Sequence, residues 1–137
     1  MIGGKSVISS RSGRFFCGIL RRAVTSDPRA DPLVVLSTCP DEPTAGRIAH
    51  ELVAAGLAAC VNRLVGIRST YRWQGELRDE PEVLLIIKTT QASYQALEMR
   101  LKALHPYDVP EIIAFPIVAG LGGYLAWIAA ETGAPSP

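Results

Sequence analysis

Hydrophobic and polar positions along the chain change several times between a strand-like and a helix-like repeat. The β-branched apolar run at residues 33–38 predicts a buried strand. Apolar positions at helical spacing follow, with Asp41 placed to cap that helix and Gly56 placed to end it. Alternation over residues 57–73 and an apolar run within residues 77–89 then predict two strands of a long hairpin.

The second half of the chain predicts another helix, another strand and a short terminal helix. Thr90 or Ser93 can cap the second helix, and Pro106 must end it. Residues 111–118 predict a strand in which Pro116 fits an edge or a bulge. The order β-α-β-β-α-β, plus a terminal helix, predicts an α+β, ferredoxin-like fold with two helices on one face of an antiparallel sheet.

The face of this sheet that lacks helices is predicted to be apolar, since residues 83–87 are apolar on both sides of the strand. Such a face should not be exposed to water. The hairpin is also too long for a compact monomer. Both features predict an oligomer in which sheets pack together and hairpins reach a neighbouring subunit.

Composition separates a basic N-terminal segment from a folded domain. The chain has 137 residues, and residues 1–31 contain six basic and two acidic side chains. We expect that segment to be a disordered, dispensable extension, either from a mis-assigned start or as a targeting segment. The folded domain should cover residues 32–132, followed by a disordered tail at 133–137.

Charge, hydropathy and cysteine content limit the possible partners. Residues 32–137 contain eight basic and eleven acidic side chains, which argues against nucleic acid as a partner. No apolar run is long enough to span a membrane, so no membrane partner is expected. The chain contains three cysteines without CxxC spacing, which favours free thiols in a reducing compartment such as the cytoplasm.

The predicted topology brings possible metal ligands to one end of the subunit. Cys39 ends the first strand, His105 ends the second helix, and Glu111 begins the last strand. Thiolate, imidazole and carboxylate together suit Cu²⁺ or Zn²⁺. Two structural alternatives remain open: packing at a strand end for Cys39 and capping of the helix for His105. Cys60 should lie a strand's length away.

Known catalytic patterns are absent from the sequence. Residues 120–123 are rich in glycine but lack the lysine and the spacing of a phosphate-binding loop. Neither Gly-x-Ser-x-Gly nor HExxH occurs. We therefore predict that the protein is not an enzyme.

Several motifs occur in an order and spacing that is similar to one known family. They are Ser37-Thr38-Cys39-Pro40-Asp41, Leu57-Ala58-Ala59-Cys60-Val61-Asn62, Tyr71-Arg72-Trp73-Gln74-Gly75, Glu82-Val83 through Ile87-Lys88-Thr89, His105-Pro106-Tyr107-Asp108-Val109-Pro110-Glu111-Ile112 and Tyr124-Leu125-Ala126-Trp127. Over residues 33–130 the chain resembles the CutA family of divalent-cation tolerance proteins.

The resemblance implies a ferredoxin-like subunit in a tight cytoplasmic homotrimer with inter-subunit strand pairing. It also implies a role in tolerance to divalent metals, with copper binding in some members. Some members have a metal-associated cysteine where this chain has Ser37, and a second histidine where it has Leu104. Of that set this chain retains His105, and Cys39 could substitute for the missing cysteine.

Two hypotheses follow. The first is a metal-binding tolerance protein that holds copper or another divalent ion through His105, Cys39 and Glu111. The second is a trimeric signalling or scaffold module. In that module, a small ligand or partner protein binds inter-subunit clefts near Trp73, Tyr107 and Asp108.

Overall fold

The computed structural model describes residues 30–133, and the predictions for the basic extension and for the last residues of the tail fall outside the described residues. Four strands and three helices follow one another in the predicted order. They are β1 (Pro32–Cys39), α1 (Glu42–Ala54), β2 (Cys60–Trp73), β3 (Glu76–Thr90), α2 (Gln91–Leu104), β4 (Ile113–Pro116) and α3 (Gly122–Glu131).

The four strands form one antiparallel sheet in the order β2-β3-β1-β4. This order confirms the ferredoxin-like α+β fold, and β4 lies at an edge as Pro116 predicted. The strand predicted over residues 111–118 is shorter in the structure. Its ladder ends where β1 begins, because Leu33 pairs with Pro116 and the Ile117 N–H donates to the Pro32 carbonyl.

Local backbone chemistry sets the shape of the long hairpin. Gln74 and Gly75 have φ values of 50° and 81°, as a two-residue type I′ turn requires. A bulge between Leu64 and Ile67 contains Gly66 at a φ of 86°. The first hairpin strand begins at Cys60 rather than at Leu57, because the Leu57 N–H instead donates to the Leu52 carbonyl at the end of α1.

The helices α1 and α2 pack on one face of the sheet, and the core lies between them and the strands. Burial alternates along β1 and the second half of β3, so every second side chain faces the helices. The helices contribute residues four positions apart on one face. The fully buried side chains of this core include Val35, Leu85, Ile87, Ile48, Leu52, Leu97 and Leu101.

The terminal helix α3 covers one end of the opposite face, where the sequence predicted no helix. Tyr124 lies against the thiol of Cys60, which pairs with Lys88 in the neighbouring strand. At the other end of α3, the Thr132 hydroxyl lies 3.4 Å from the Thr90 hydroxyl. The rest of this face remains open and has large apolar side chains at its surface: Leu64, Ile113 and Phe115.

Candidate functional site

The loop after α2 is attached to the end of β1 through the imidazole of His105. This residue caps the C-terminus of α2 in an extended conformation and is buried. Its Nε2 lies 2.7 Å from the Thr38 carbonyl oxygen, and the Tyr107 N–H donates to Nδ1 at 3.1 Å. Since a neutral imidazole has one donor and one acceptor, Nε2–H donates to Thr38 and Nδ1 accepts from Tyr107. His105 therefore occupies the C-cap position of α2, which is the structural alternative that the sequence left open.

Cys39 contacts His105, as the topology predicted, with 4.0 Å between Sγ and Nε2. Burial, followed by the nearby charges of Glu82 and Asp41, raises the pKa of the Cys39 thiol to about 11. The thiol is therefore protonated at neutral pH. Cys60 lies apart from this pair, since Cys39 pairs with Val83 and Cys60 with Lys88, about 17 Å further along β3.

The third predicted metal ligand, Glu111, does not join the pair. Glu111 lines a cavity together with Thr38, whereas Cys39 is the next residue along β1 and so points to the opposite face of the strand. Within residues 30–133 no group of three His, Cys, Asp or Glu side chains is placed to hold a metal ion. The structure thus supplies an imidazole–thiol pair, and the lone pair of its imidazole is already occupied by the Tyr107 N–H.

A cavity of about 750 Å³ lies between the hairpin and the loop that follows α2. The three predicted cleft residues, Trp73, Tyr107 and Asp108, all line it. The other lining residues are Thr38, Ser69, Thr70, Tyr71, Arg78, Glu80, Glu82, Pro106, Val109 and Glu111. The structure therefore gathers the cleft residues within one subunit.

Two phenol–carboxylate pairs form part of the cavity wall. The Tyr71 hydroxyl donates to Glu80 Oε2 at 2.8 Å, and the Tyr107 hydroxyl donates to Glu82 Oε2 at 3.1 Å. The hydrogen bond to Glu80 raises the pKa of Tyr71, and burial together with the charge of Glu82 raises the pKa of Tyr107. Both phenols therefore remain protonated donors at neutral pH.

The glutamates of the hairpin face this cavity, which corrects a sequence-based expectation. From the sequence, Glu76, Glu80 and Glu82 are available to pair with Arg68 and Arg72 across the hairpin. The register instead places these glutamates opposite Trp73, Ser69 and Ile67, on the cavity face. Arg68 lies on the other face and binds Asp79 at 2.7 Å. Treating Gln74-Gly75 as a two-residue turn would have revealed this register from the sequence.

Ser37 occupies a different environment from the cavity. Its hydroxyl is fully buried and, among the described residues, has no hydrogen-bond partner. Because Ser37 and Cys39 are two positions apart on β1, both face the helices. Ser37 therefore contributes to the core side of β1.

Comparisons with known proteins agree with this fold over nearly all of the described chain. A family model described as CutA1 divalent ion tolerance protein matches residues 33–131. The divalent-cation tolerance protein CutA of Thermus thermophilus is 52% identical over 100 residues, which cover 73% of this chain and 97% of that protein.

A plant protein and a solved bacterial structure extend the likeness. The chloroplastic protein CutA of Arabidopsis thaliana is 40% identical over 111 residues, covering 81% of this chain and 61% of that protein. The crystal structure of CutA from Xylella fastidiosa has a TM-score of 0.74 and 48% identity, covering 75% of this chain and 99% of that chain.

Proposed function

The chain belongs to the CutA1 divalent ion tolerance family, and from that membership we propose that it acts in the response to divalent metal ions as a metal-binding homotrimer in the cytoplasm. The observation that supports metal binding most directly is the contact between the buried His105 imidazole and the Cys39 thiol. The proposal is one of binding and assigns no catalytic step to the chain. No helix within residues 30–133 is long and apolar enough to cross a membrane.

The trimeric part of the proposal rests on the open face of the sheet. Leu64, Ile113 and Phe115 each expose between 44% and 50% of their surface on that face. Leu64 lies on one edge strand of the sheet, and Ile113 and Phe115 lie on the other. Large apolar side chains exposed across a sheet face are typical of protein–protein contacts. In addition, β2 is an edge strand of 14 residues. Its outer edge pairs with no other strand within residues 30–133, so it can pair with a strand of another subunit.

The donor atoms of His105 and Cys39 suit copper or another borderline ion. Glu111 lines the cavity on the other face of β1, so the proposed site consists of this imidazole and this thiol. Their present arrangement sets two conditions for binding. The imidazole must give up its hydrogen bond to Thr38 or to Tyr107, and the thiol must lose a proton despite its raised pKa. Binding should therefore release protons and become tighter as pH rises.

Calorimetric titration of Cu²⁺ and of Zn²⁺ into the full chain tests this assignment. We expect one saturable site per subunit in the wild type, and binding at least tenfold weaker in His105→Ala and in Cys39→Ser. His50→Ala is the matched control, because His50 is exposed on α1. Circular dichroism of each variant checks that it is folded. Equal affinity of the wild type and both site variants would refute the assignment of these ligands.

A second candidate function is supported by the cavity. Trp73, Tyr107 and Asp108 line a space large enough for a small ligand, which fits a trimeric signalling or scaffold module. In that case the protein would bind a small ligand or a partner protein and would be indifferent to metal. Trp73→Ala should then abolish binding of the small ligand or partner protein. A folded His105→Ala variant should behave toward copper as the wild type does.

A further inference from the structure

The charge of the cavity wall favours a cationic occupant. Four carboxylates line it and a single guanidinium opposes them. That guanidinium, on Arg78, already lies 3.8 Å from Glu80 and 3.7 Å from Glu76. Among the described residues Asp108 and Glu111 have no ion-pair partner. The wall therefore has a net charge of about −3 at neutral pH, which repels anions and attracts cations.

Glu82 gives the cavity a buried negative charge. Its side chain lines the cavity, and the residue is only 7% exposed. The Tyr107 hydroxyl donates to one carboxylate oxygen, but no cationic side chain within residues 30–133 forms a salt bridge with Glu82. A buried carboxylate without a counter-charge is costly. A cation bound in the cavity would remove that cost.

Aromatic side chains make the cavity better suited to an organic cation than to a bare metal ion. Tyr71, Trp73 and Tyr107 line the same space as the carboxylates. Aromatic faces attract ammonium groups and pack against methylene chains. They supply no ligand for a divalent metal, and the described residues contain no group of three metal-binding side chains. This combination of acids and aromatic rings matches an aliphatic amine.

We propose that this cavity binds a small aliphatic diamine or polyamine. One ammonium group is held by Glu82, the methylene chain lies against Trp73 and the two tyrosines, and a second ammonium group meets Asp108 or Glu111. Two charges on the ligand match the multiple carboxylates better than one. The proposal rests on the cleft of the second candidate function and is independent of metal binding by His105 and Cys39.

Titration calorimetry of the full chain with putrescine and spermidine tests the proposal. Adipate, a dicarboxylate of similar length, is the charge-reversed control, and Mg²⁺ is the inorganic dication control. A Trp127→Phe background leaves Trp73 as the sole tryptophan, so its fluorescence reports occupancy of the cavity. We expect saturable amine binding with a change in Trp73 emission, no binding of adipate, and weak competition by Mg²⁺.

Two variants of different kinds identify the site. Trp73→Ala removes a side chain that is 39% exposed and should leave the fold intact, while weakening amine binding by about tenfold. Glu82→Gln should weaken it at least as much, and circular dichroism verifies that this buried variant is folded. Glu98→Gln, on an exposed position of α2, is the matched control and should bind as the wild type does.

The outcomes separate this proposal from the functions on which it depends. Failure of both amines to saturate at millimolar concentration, or wild-type affinity in both site variants, overturns it. Equal competition by Mg²⁺ also overturns it, because the cavity would then bind charge without using its aromatic walls. Binding of an anion or a partner protein in the cavity would refute the amine and leave the second candidate function standing. Loss of copper binding in His105→Ala with unchanged amine binding would support two separate sites.

Discussion

At the scale of single residues, His105 connects three parts of the subunit. It follows the last residue of α2, its Nε2–H donates to the Thr38 carbonyl of β1, and its Nδ1 accepts from the Tyr107 N–H in the loop that lines the cavity. Its ring also lies 4.8 Å from that of Tyr107. The side chain most easily taken for a metal ligand is therefore also a structural link between the helix end and the cavity.

Replacement of His105 should destabilise the fold even without metal. In His105→Ala the Thr38 carbonyl and the Tyr107 N–H lose their partners, so we expect the free energy of unfolding to fall by about 2–4 kcal/mol. Urea unfolding at a fixed protein concentration measures the change. His50→Ala, on the exposed side of α1, should stay within about 0.5 kcal/mol of the wild type. A similar, small loss in both variants would show that the two hydrogen bonds contribute little.

Cys39 should make stability fall at alkaline pH. Its thiol pKa is raised from 9.0 to about 11 in the folded state, so the unfolded chain loses this proton first. The contribution of Cys39 is complete below about pH 9 and is lost as pH rises toward about 11. Urea unfolding of the wild type and of Cys39→Ala measures this effect between about pH 8 and about pH 11. The difference between their free energies of unfolding should become smaller as pH rises.

Tyrosines titrate in the same range and must be separated from the thiol. Burial or hydrogen bonding raises the pKa of Tyr71, Tyr94, Tyr107 and Tyr124, which acts in the same direction. Both proteins contain these tyrosines, so the difference between the two curves isolates Cys39. Parallel curves across the whole range would contradict the raised thiol pKa.

At the scale of elements, the hairpin depends on its two-residue turn. The turn sets which residues of β2 and β3 are opposite each other, and so places Trp73 and the glutamates on the cavity face. The bulge at Gly66 then adjusts the register between the hairpin and the rest of the sheet. The geometry of the cavity therefore depends on backbone positions outside it.

Gly75→Ala tests whether the turn requires glycine, since the added methyl group would contact no other atom. A Cβ at Gly75 would meet nothing within 4 Å, but its φ of 81° lies in the left-handed region. We expect a loss of about 1 kcal/mol in the free energy of unfolding from backbone strain alone. Gly122→Ala is the control, since Gly122 is also open within 4 Å and begins α3 with an ordinary φ. Equal stability of the two variants would show that the turn does not require glycine.

At the scale of the whole molecule, the two faces of the sheet are covered differently. α1 and α2 cover the core part of one face, whereas α3 covers only one end of the other. The exposed part of that face adjoins the cavity, because Leu84 and Glu82 lie on the same side of β3. Association through this face would thus place neighbouring subunits beside the cavity.

A charge on the open face should disrupt the proposed trimer. The wild type is expected to sediment as three copies of the 14.7 kDa chain. Phe115→Asp should shift sedimentation toward smaller species at micromolar concentration, because it places a carboxylate in the proposed contact. Met99→Asp is the control: Met99 is 69% exposed on α2, away from this face. A trimer that survives Phe115→Asp would argue against this face as the interface.

The sequence by itself determined the helices and strands, their order and the family, because each is recognised from short stretches of consecutive residues. Asp41 caps α1 and accepts from the Thr44 N–H, and Gly56 adopts the left-handed conformation after the helix. Capping and hydrophobic periodicity act over a few residues, so they can be predicted from the sequence. The meeting of Cys39 with His105 also followed, since topology brings strand and helix ends together.

Only the tertiary structure decided the position of α3 and the hydrogen bonds of His105. A shift of one residue in strand register moves every side chain to the other face, so the hairpin places Glu80 and Glu82 on the same side as Trp73 only because its turn contains two residues. The hydrogen bond from His105 to the Thr38 carbonyl joins residues that are 67 positions apart in the sequence. Long-range contacts of this kind depend on the packed backbone, because no local repeat in the chain specifies them.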